Sequence, residues 1–200
     1  MKRLEKENKF FFGIWSLVYG LDPISLWLKS IQNRILNRLK ISKQSYVLDV
    51  GCANGSLLNT LYSKDIRKLY GMDLSESMIK RANKKLGNKA ILNVASVEKI
   101  PFKQNFFDYV LSTEAFHHFP HPDKAIKEMK RVLKKNGTLI VADINFYFGF
   151  IHWLFKKIEP GHVKIYNNNE FRDLFKKNNL KVIMQKRIGL FAILTIGKKC

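Results

Sequence analysis

The chain has 200 residues, 46% of them hydrophobic, which fits one domain with a core of ordinary size. Its only cysteines are Cys52 and Cys200, which excludes a disulfide framework and a thiolate metal site and suits a reducing cytoplasm. The formal net charge of +20 is spread as +6 over residues 1–44, +6 over 45–150 and +8 over 151–200, mostly as lysine, which argues against an RNA reader with clustered arginines.

The first 44 residues contain an apolar stretch, Phe10 to Leu28, which raises the question of a membrane span. Asp22 and Pro23 interrupt the stretch, and no small-residue cleavage pattern follows it. We therefore predict amphipathic cap helices over residues 1–44, with a spanning helix as the less favoured alternative.

A short apolar run that ends in an acid comes next, followed by a glycine-rich turn: YVLDVGCANG, Tyr46 to Gly55. The order predicts a strand, a tight loop and a helix from Ser56, an arrangement that nucleotide-type ligands require. Gly51 and Gly55 can adopt positive φ and let a ligand approach the backbone, because they have no Cβ.

The glycine spacing excludes a dinucleotide fingerprint, since Ala53 and Ser56 stand where G-x-G-x-x-G needs glycines. What fits is acid-x-Gly-x-small-x-Gly, beginning at Asp49. This segment resembles motif I of the class I S-adenosylmethionine-dependent methyltransferases. The alternative is a glycine turn between an unspecialised strand and helix.

A second strand is predicted over Lys68 to Asp73, and Asp73 lies 22 residues after Gly51. An acid at this spacing is placed to accept hydrogen bonds from both ribose hydroxyls. The alternative is a capping or loop aspartate, because Ser75 follows as a helix N-cap.

The segment ASVEKIPF, Ala95 to Phe102, and the strand beginning at Phe107 continue the resemblance. Family members often place an aspartate in this turn to bond the adenine amine, and Ser96 stands at the matching position here. The resemblance therefore implies an adenine contact through the hydroxyl of Ser96 or the backbone N–H of Val97.

The run FHHFPHP, Phe116 to Pro122, is similar to a segment of the small-molecule branch of the family, which includes quinone and sterol C-methyltransferase-like enzymes. His117 and His118 are the candidate acid–base residues, because imidazole titrates near neutral pH; the alternative is that they only shape the loop. Pro120 and Pro122 break any common ligand face, so no metal is predicted. A helix follows, stopped by Asn136-Gly137, and then a buried strand over Thr138 to Ile144.

The aromatic segment from Phe146 to Phe155, followed by Lys156 and Lys157, comes after this strand. Together with Phe10 to Tyr19 it is predicted to close over an apolar or aromatic acceptor. Two alternatives stay open: contact with an anionic membrane, and ordinary cap packing.

The fold prediction is α/β: a Rossmann-like, doubly wound, mostly parallel seven-stranded sheet that ends in an antiparallel hairpin after a helix from Asn167. Residues 1–200 are predicted as a single methyltransferase domain. Within it we predict N-terminal cap helices (1–44), a cofactor-binding core (45–145), a lid or insert (146–166) and a C-terminal helix with hairpin (167–200).

The resemblance implies an enzyme that uses S-adenosylmethionine, leaves S-adenosylhomocysteine and methylates a small, apolar or aromatic molecule. The alternatives are an RNA or protein methyltransferase of the same fold and a non-catalytic module that binds the cofactor or its product. Near the methionine part, the ribose and the adenine, the implied contacts are Asp49, Gly51, Cys52, Ala53, Gly55, Asp73, Leu74, Met78, Ser96, Val97 and Ser112. The predicted location is cytoplasmic, with peripheral membrane contact as a variant.

Overall fold

The computed structural model describes residues 30, 32–36, 39, 41–145, 163–189 and 192–200. Most of the predicted N-terminal caps and the whole aromatic segment 146–155 lie outside these residues, so both stay predictions. Within the described ranges, no helix is long and apolar enough to cross a membrane.

Seven strands form one sheet in the order β3-β2-β1-β4-β5-β7-β6, which confirms the predicted fold. Strands β1 to β5 are parallel, and β7 runs antiparallel to both β5 and β6. The strands are β1 (Tyr46–Val50), β2 (Lys68–Asp73), β3 (Ile91–Val94), β4 (Phe107–Thr113), β5 (Leu133–Ile144), β6 (Leu180–Ile188) and β7 (Ala192–Lys199). The carboxyl ends of the first five strands therefore meet at one edge of the sheet.

Four helices with a described capping arrangement connect these strands: α1 (Ser56–Ser63), α2 (Glu76–Leu86), α3 (Pro122–Val132) and α4 (Asn168–Lys177). Three of them begin at a start signal in the sequence: Ser75 caps α2 with its hydroxyl, proline opens α3, and Asn167 forms a capping box with Glu170 before α4. Their apolar faces cover both sides of the sheet and make two buried clusters.

The predicted helix stop at Asn136-Gly137 is wrong. The helix α3 already ends at Val132, and both residues lie inside β5. Pairing with β4 slips between Phe107 and Tyr109, so that residues 134–137 bulge out of the ladder. Asn136 takes φ of 63° there, which is the same backbone preference that suggested a helix end.

Candidate active site

The carboxyl edge of the sheet collects most of the predicted site residues. Asp49 lies in β1 beside Leu111 of β4, Asp73 ends β2, and Ser112 lies near the end of β4. Asp143 lies near the end of β5 at the same edge. Crevices at this edge of parallel sheets are where ligands bind in doubly wound folds.

The motif I glycines are needed for packing within the chain. Gly51 has φ of 78°, and a Cβ added to it would stand 2.5 Å from the Cβ of Ala115, in the loop after β4. A Cβ on Gly55, with φ of 75°, would stand 2.6 Å from Leu86 Cδ1 of α2. The space at both Cβ positions is occupied by protein, and contact of these glycines with the cofactor stays a prediction.

Asp73 accepts hydrogen bonds from two backbone N–H groups. Ala53 N–H donates to Oδ2 over 2.9 Å, and Ser75 N–H donates to Oδ1 over 2.9 Å. Burial raises the pKa of Asp73, and these N–H donors oppose the rise. Asp73 therefore fixes the motif I loop to the end of β2, as the loop-aspartate alternative holds, and its remaining lone pairs can still accept ribose hydroxyls.

Asp49 is buried, and its Oδ1 has no hydrogen-bond partner among the described residues. Burial raises the pKa of Asp49 to about 8, and the negative charge of Asp73 adds to the rise. Cys52 is also buried, and burial raises the pKa of its thiol well above the usual range. Only the backbone of Cys52 is therefore suited to face a polar ligand.

The predicted adenine-side residues follow β2 and β3. Met78 is only 1% exposed, and Val97 packs into one of the two cores, while Leu74 is half-buried. Ser96 Oγ accepts the backbone N–H of Glu98 over 3.3 Å, which leaves the hydroxyl hydrogen available to donate. These residues follow strands whose carboxyl ends lie at the site edge. Their contacts with adenine stay predictions.

The turn after Ser96 is held by an ion pair on α3. Arg131 donates to the carbonyl oxygens of Ile100 and Phe102, each over 2.9 Å, and to both carboxylate oxygens of Glu128. Glu128 in turn accepts the backbone N–H of Ile100 over 2.9 Å. Glu128 and Arg131 therefore fix the backbone of the Ile-Pro-Phe segment against α3.

The two candidate acid–base histidines lie in a short 3-10 turn, Phe116–His118, after β4. His117 Nδ1 lies 2.6 Å from Asp143 Oδ1, and both side chains are almost fully buried. The ring of His118 lies against that of His117, with 4.0 Å between centroids. In the tautomer in which Nδ1 donates to Asp143, Nε2 is the nitrogen of His117 that can accept a proton.

The sequence did not reveal two acids at this edge: Asp143, which is buried, and Glu114, whose carboxylate oxygens are buried although the residue is only half-buried. Asp143 ends an apolar strand just as Asp49 and Asp73 do, so the same pattern could have found it. Glu114 follows β4 in a left-handed conformation with φ of 57°, and its inward turn leaves no trace in the sequence. Burial and the charge of Asp143 raise the pKa of Glu114 well above its usual range.

The chemistry of this set of acceptor atoms fits a hydroxyl-rich, cationic cofactor. Buried acceptor atoms without a described partner occur on Asp49, Ser112 and Glu114, and groups left so call for donors from a ligand. Across the described ranges, no three His, Cys, Asp or Glu side chains are grouped to hold a metal ion. Asp123 is bonded to Lys177 and to Asn178 at the end of α4.

Comparisons with known proteins agree with this geometry. Residues 48–141 match the family described as a methyltransferase domain. Methyltransferase GfsG of Streptomyces halstedii is 27% identical over 138 residues, 66% of this chain and 50% of that protein. Sterol 4-C-methyltransferase strm-1 of Caenorhabditis elegans is 30% identical over 122 residues, 58% of this chain and 36% of that protein. The chain thus spans about half or less of the length of these relatives.

Solved structures show the same fold over nearly the whole chain. The complex between the Haloferax volcanii Trm112 methyltransferase activator and a methyltransferase contains a similar chain, with a TM-score of 0.85 and 21% identity. The match covers 95% of this chain and 96% of that one. At 21% identity this likeness shows the fold alone. The methyltransferase family is indicated instead by the matched domain and by the relatives.

Proposed function

Since the chain belongs to the class I S-adenosylmethionine-dependent methyltransferases, we propose that it transfers a methyl group from that cofactor to a small acceptor, apolar or aromatic in character. The observation that carries the proposal is the buried His117–Asp143 contact of 2.6 Å. It lies at the same sheet edge as Asp49, Asp73 and Ser112, where the cofactor contacts are predicted.

Two features support a small, apolar acceptor over a macromolecule. The similarity to a sterol 4-C-methyltransferase covers 58% of the chain. Four aromatic rings also pack behind the histidine turn, with centroids 5.1 to 5.5 Å apart: Phe116, Phe119, Tyr166 and Phe171. They make the wall behind the turn apolar, which suits a site that excludes water during transfer.

When bound, S-adenosylmethionine supplies a methyl group on a positively charged sulfur, ready for in-line displacement. The chain positions the acceptor and removes its proton where one must leave. His117 accepts this proton on Nε2, while Asp143 holds the ring through Nδ1 and stabilises the imidazolium that forms. Asp143 is therefore a positioning residue for His117.

Calorimetric titration with S-adenosylmethionine, followed by transfer of labelled methyl groups to phenols, quinols and sterols, tests the proposal. For the accepted substrate, we expect His117→Ala to lower turnover about 10²–10⁴-fold and to leave cofactor affinity unchanged. His121→Gln is the matched control, because His121 is four residues away and its side chain is 37% exposed. Unchanged turnover in His117→Ala would remove that residue from the mechanism.

The two alternatives predict different results in the same experiments. An RNA methyltransferase would label RNA rather than small acceptors, with binding that weakens steeply as salt rises. A non-catalytic module would bind the cofactor and label no acceptor. The first alternative draws only on the net charge of +20, and no contact in the described site favours the second.

A further inference from the structure

The carbonyl oxygen of His117 accepts hydrogen bonds from a distant part of the chain. The N–H of Val163 donates to it over 2.9 Å, and the N–H of Lys164 donates to it over 3.2 Å. The 3-10 turn that contains His117 is only three residues long, so it has few hydrogen bonds of its own. Residues 163–166 therefore fix the main chain of His117, whereas Asp143 holds its ring.

The position of residues 163–166 depends on contacts with other parts of the chain, because they belong to no helix or strand. The segment ends at Tyr166, which is buried and packs its ring against Phe116 and Phe171. Ring packing leaves the main chain free to shift, whereas a hydrogen bond is directional. The carbonyl oxygen of Tyr166 accepts such a bond from Asn145 Nδ2 over 2.7 Å.

Asn145 is itself held by an arginine of the terminal hairpin. It is buried and directly follows β5. Its Oδ1 accepts from Nη1 and Nη2 of Arg187 over 3.1 and 2.9 Å, and Nη2 also donates to its carbonyl oxygen over 3.0 Å. A guanidinium only donates and a carbonyl oxygen only accepts, so the amide has one compatible orientation. Arg187 thus directs Asn145 Nδ2 toward Tyr166.

We propose that Asn145 is a positioning residue for His117, and that it acts by holding residues 163–166 against the histidine turn. The inference rests on the proposed function, in which Nε2 of His117 takes a proton from the acceptor. The side chain of Asn145 bonds to Tyr166 and Arg187, so it reaches His117 through the segment. A misplacement of about 1 Å can slow a reaction about 10²-fold, so loss of this bond should lower turnover.

The substitution Asn145→Asp separates positioning from general support of the fold. A carboxylate still accepts from Arg187, but it has no N–H to donate to Tyr166. For the accepted substrate we expect kcat to fall at least about tenfold, with KM and the Kd for S-adenosylmethionine unchanged. In the His117→Ala background the same substitution should change kcat less than about twofold, because the base that it positions is already absent.

A measurement on the free chain tests the positioning without turnover. In the native chain we expect the two ring nitrogens of His117 to give separate ¹⁵N NMR signals, one protonated and one not, because Asp143 selects one tautomer. The chain has five histidines, and comparison with His117→Ala assigns the signals. In Asn145→Asp the two signals should move toward each other, as the loosened ring exchanges between tautomers.

Asn178→Asp is the matched control. Asn178 is also a buried asparagine, and its Nδ2 donates to the carbonyl oxygen of Leu174 over 2.9 Å, at the end of α4. This variant should lose stability and leave both kcat and the His117 signals unchanged. Asn145→Ala removes both side-chain contacts without adding a charge, so a similar loss of kcat there excludes an electrostatic effect of the new carboxylate.

Three outcomes would overturn the inference. They are native kcat and native His117 signals in folded Asn145→Asp, a loss of kcat that is equally large in the His117→Ala background, and a change in KM alone, which would place Asn145 at the acceptor. A native chain that methylates no acceptor would contradict the proposed function instead. The His117 signals would then still decide whether Asn145 positions the ring.

Discussion

Replacing Gly51 by alanine should destabilise the chain before any ligand is added. A left-handed backbone costs an alanine about 1–2 kcal/mol, and Gly51 has φ of 78°. The new Cβ would also stand 2.5 Å from Ala115 Cβ, and overpacking of this kind costs about 1–3 kcal/mol. The lower entropy of the unfolded variant returns about 0.4–1 kcal/mol, so we expect a net loss of about 1–4.6 kcal/mol, measured by urea unfolding of the free chain.

The chain offers controls that separate the two contributions. Gly189 has φ of 63°, and the nearest described atom to an added Cβ is Arg34 Nη1 at 3.9 Å, so Gly189→Ala should show only the smaller backbone cost. In a double-mutant cycle, Ala115→Gly should recover the packing part of the loss in Gly51→Ala. If Gly51→Ala costs no more than Gly189→Ala, and weakens only cofactor binding, the glycine serves ligand approach and our reasoning is refuted.

Three further predictions concern stability. Ala53→Gly should raise the free energy of unfolding by about 0.5–1 kcal/mol, because Ala53 has φ of 45°, a conformation that glycine adopts without the Cβ clash; a urea midpoint at or below that of the native chain would contradict this. Arg131→Lys should lower the free energy of unfolding by about 1–3 kcal/mol, because a lysine cannot reach Glu128 and the two carbonyl oxygens together. An unchanged thermal midpoint would show that these hydrogen bonds of Arg131 do not stabilise the fold. Burial raises the pKa of Asp49 to about 8, so the stability that protonated Asp49 gives the folded chain is present at acid pH and is lost as pH rises from about 4 to about 8. Asp49→Asn should therefore become more stable relative to the native chain over that range. Parallel curves of unfolding free energy against pH for the two chains would argue against the raised pKa.

The sequence was sufficient for the succession of strands along the chain and for the acids at the ends of β1 and β2. Asp49 and Asp73 each close an apolar run, and parallel strands bring such ends to one edge. The antiparallel hairpin after the helix from Asn167 was also predicted, and β6 and β7 form it. These features depend on local sequence patterns, so they can be predicted without knowledge of long-range contacts.

Features that depend on long-range packing were not recognisable. Ala115 lies 64 positions after Gly51 in the sequence, so no local sequence pattern predicts that it packs against the motif I turn. The inward turn of Glu114 depends on one left-handed φ value. The bulge at Asn136-Gly137 resembled a helix stop, because both structures use the same backbone conformation.

We propose that the carboxyl edge of β1, β2 and β4 binds the nucleoside of S-adenosylmethionine. Equilibrium titration of the full chain with S-adenosylmethionine, for the native chain and for Asp73→Ala, tests it most directly. We predict one site per chain, competition by S-adenosylhomocysteine and at least about tenfold weaker binding in the variant. Absence of binding to the native chain, or equal affinity in a folded Asp73→Ala variant, would show that the nucleoside does not bind at this edge.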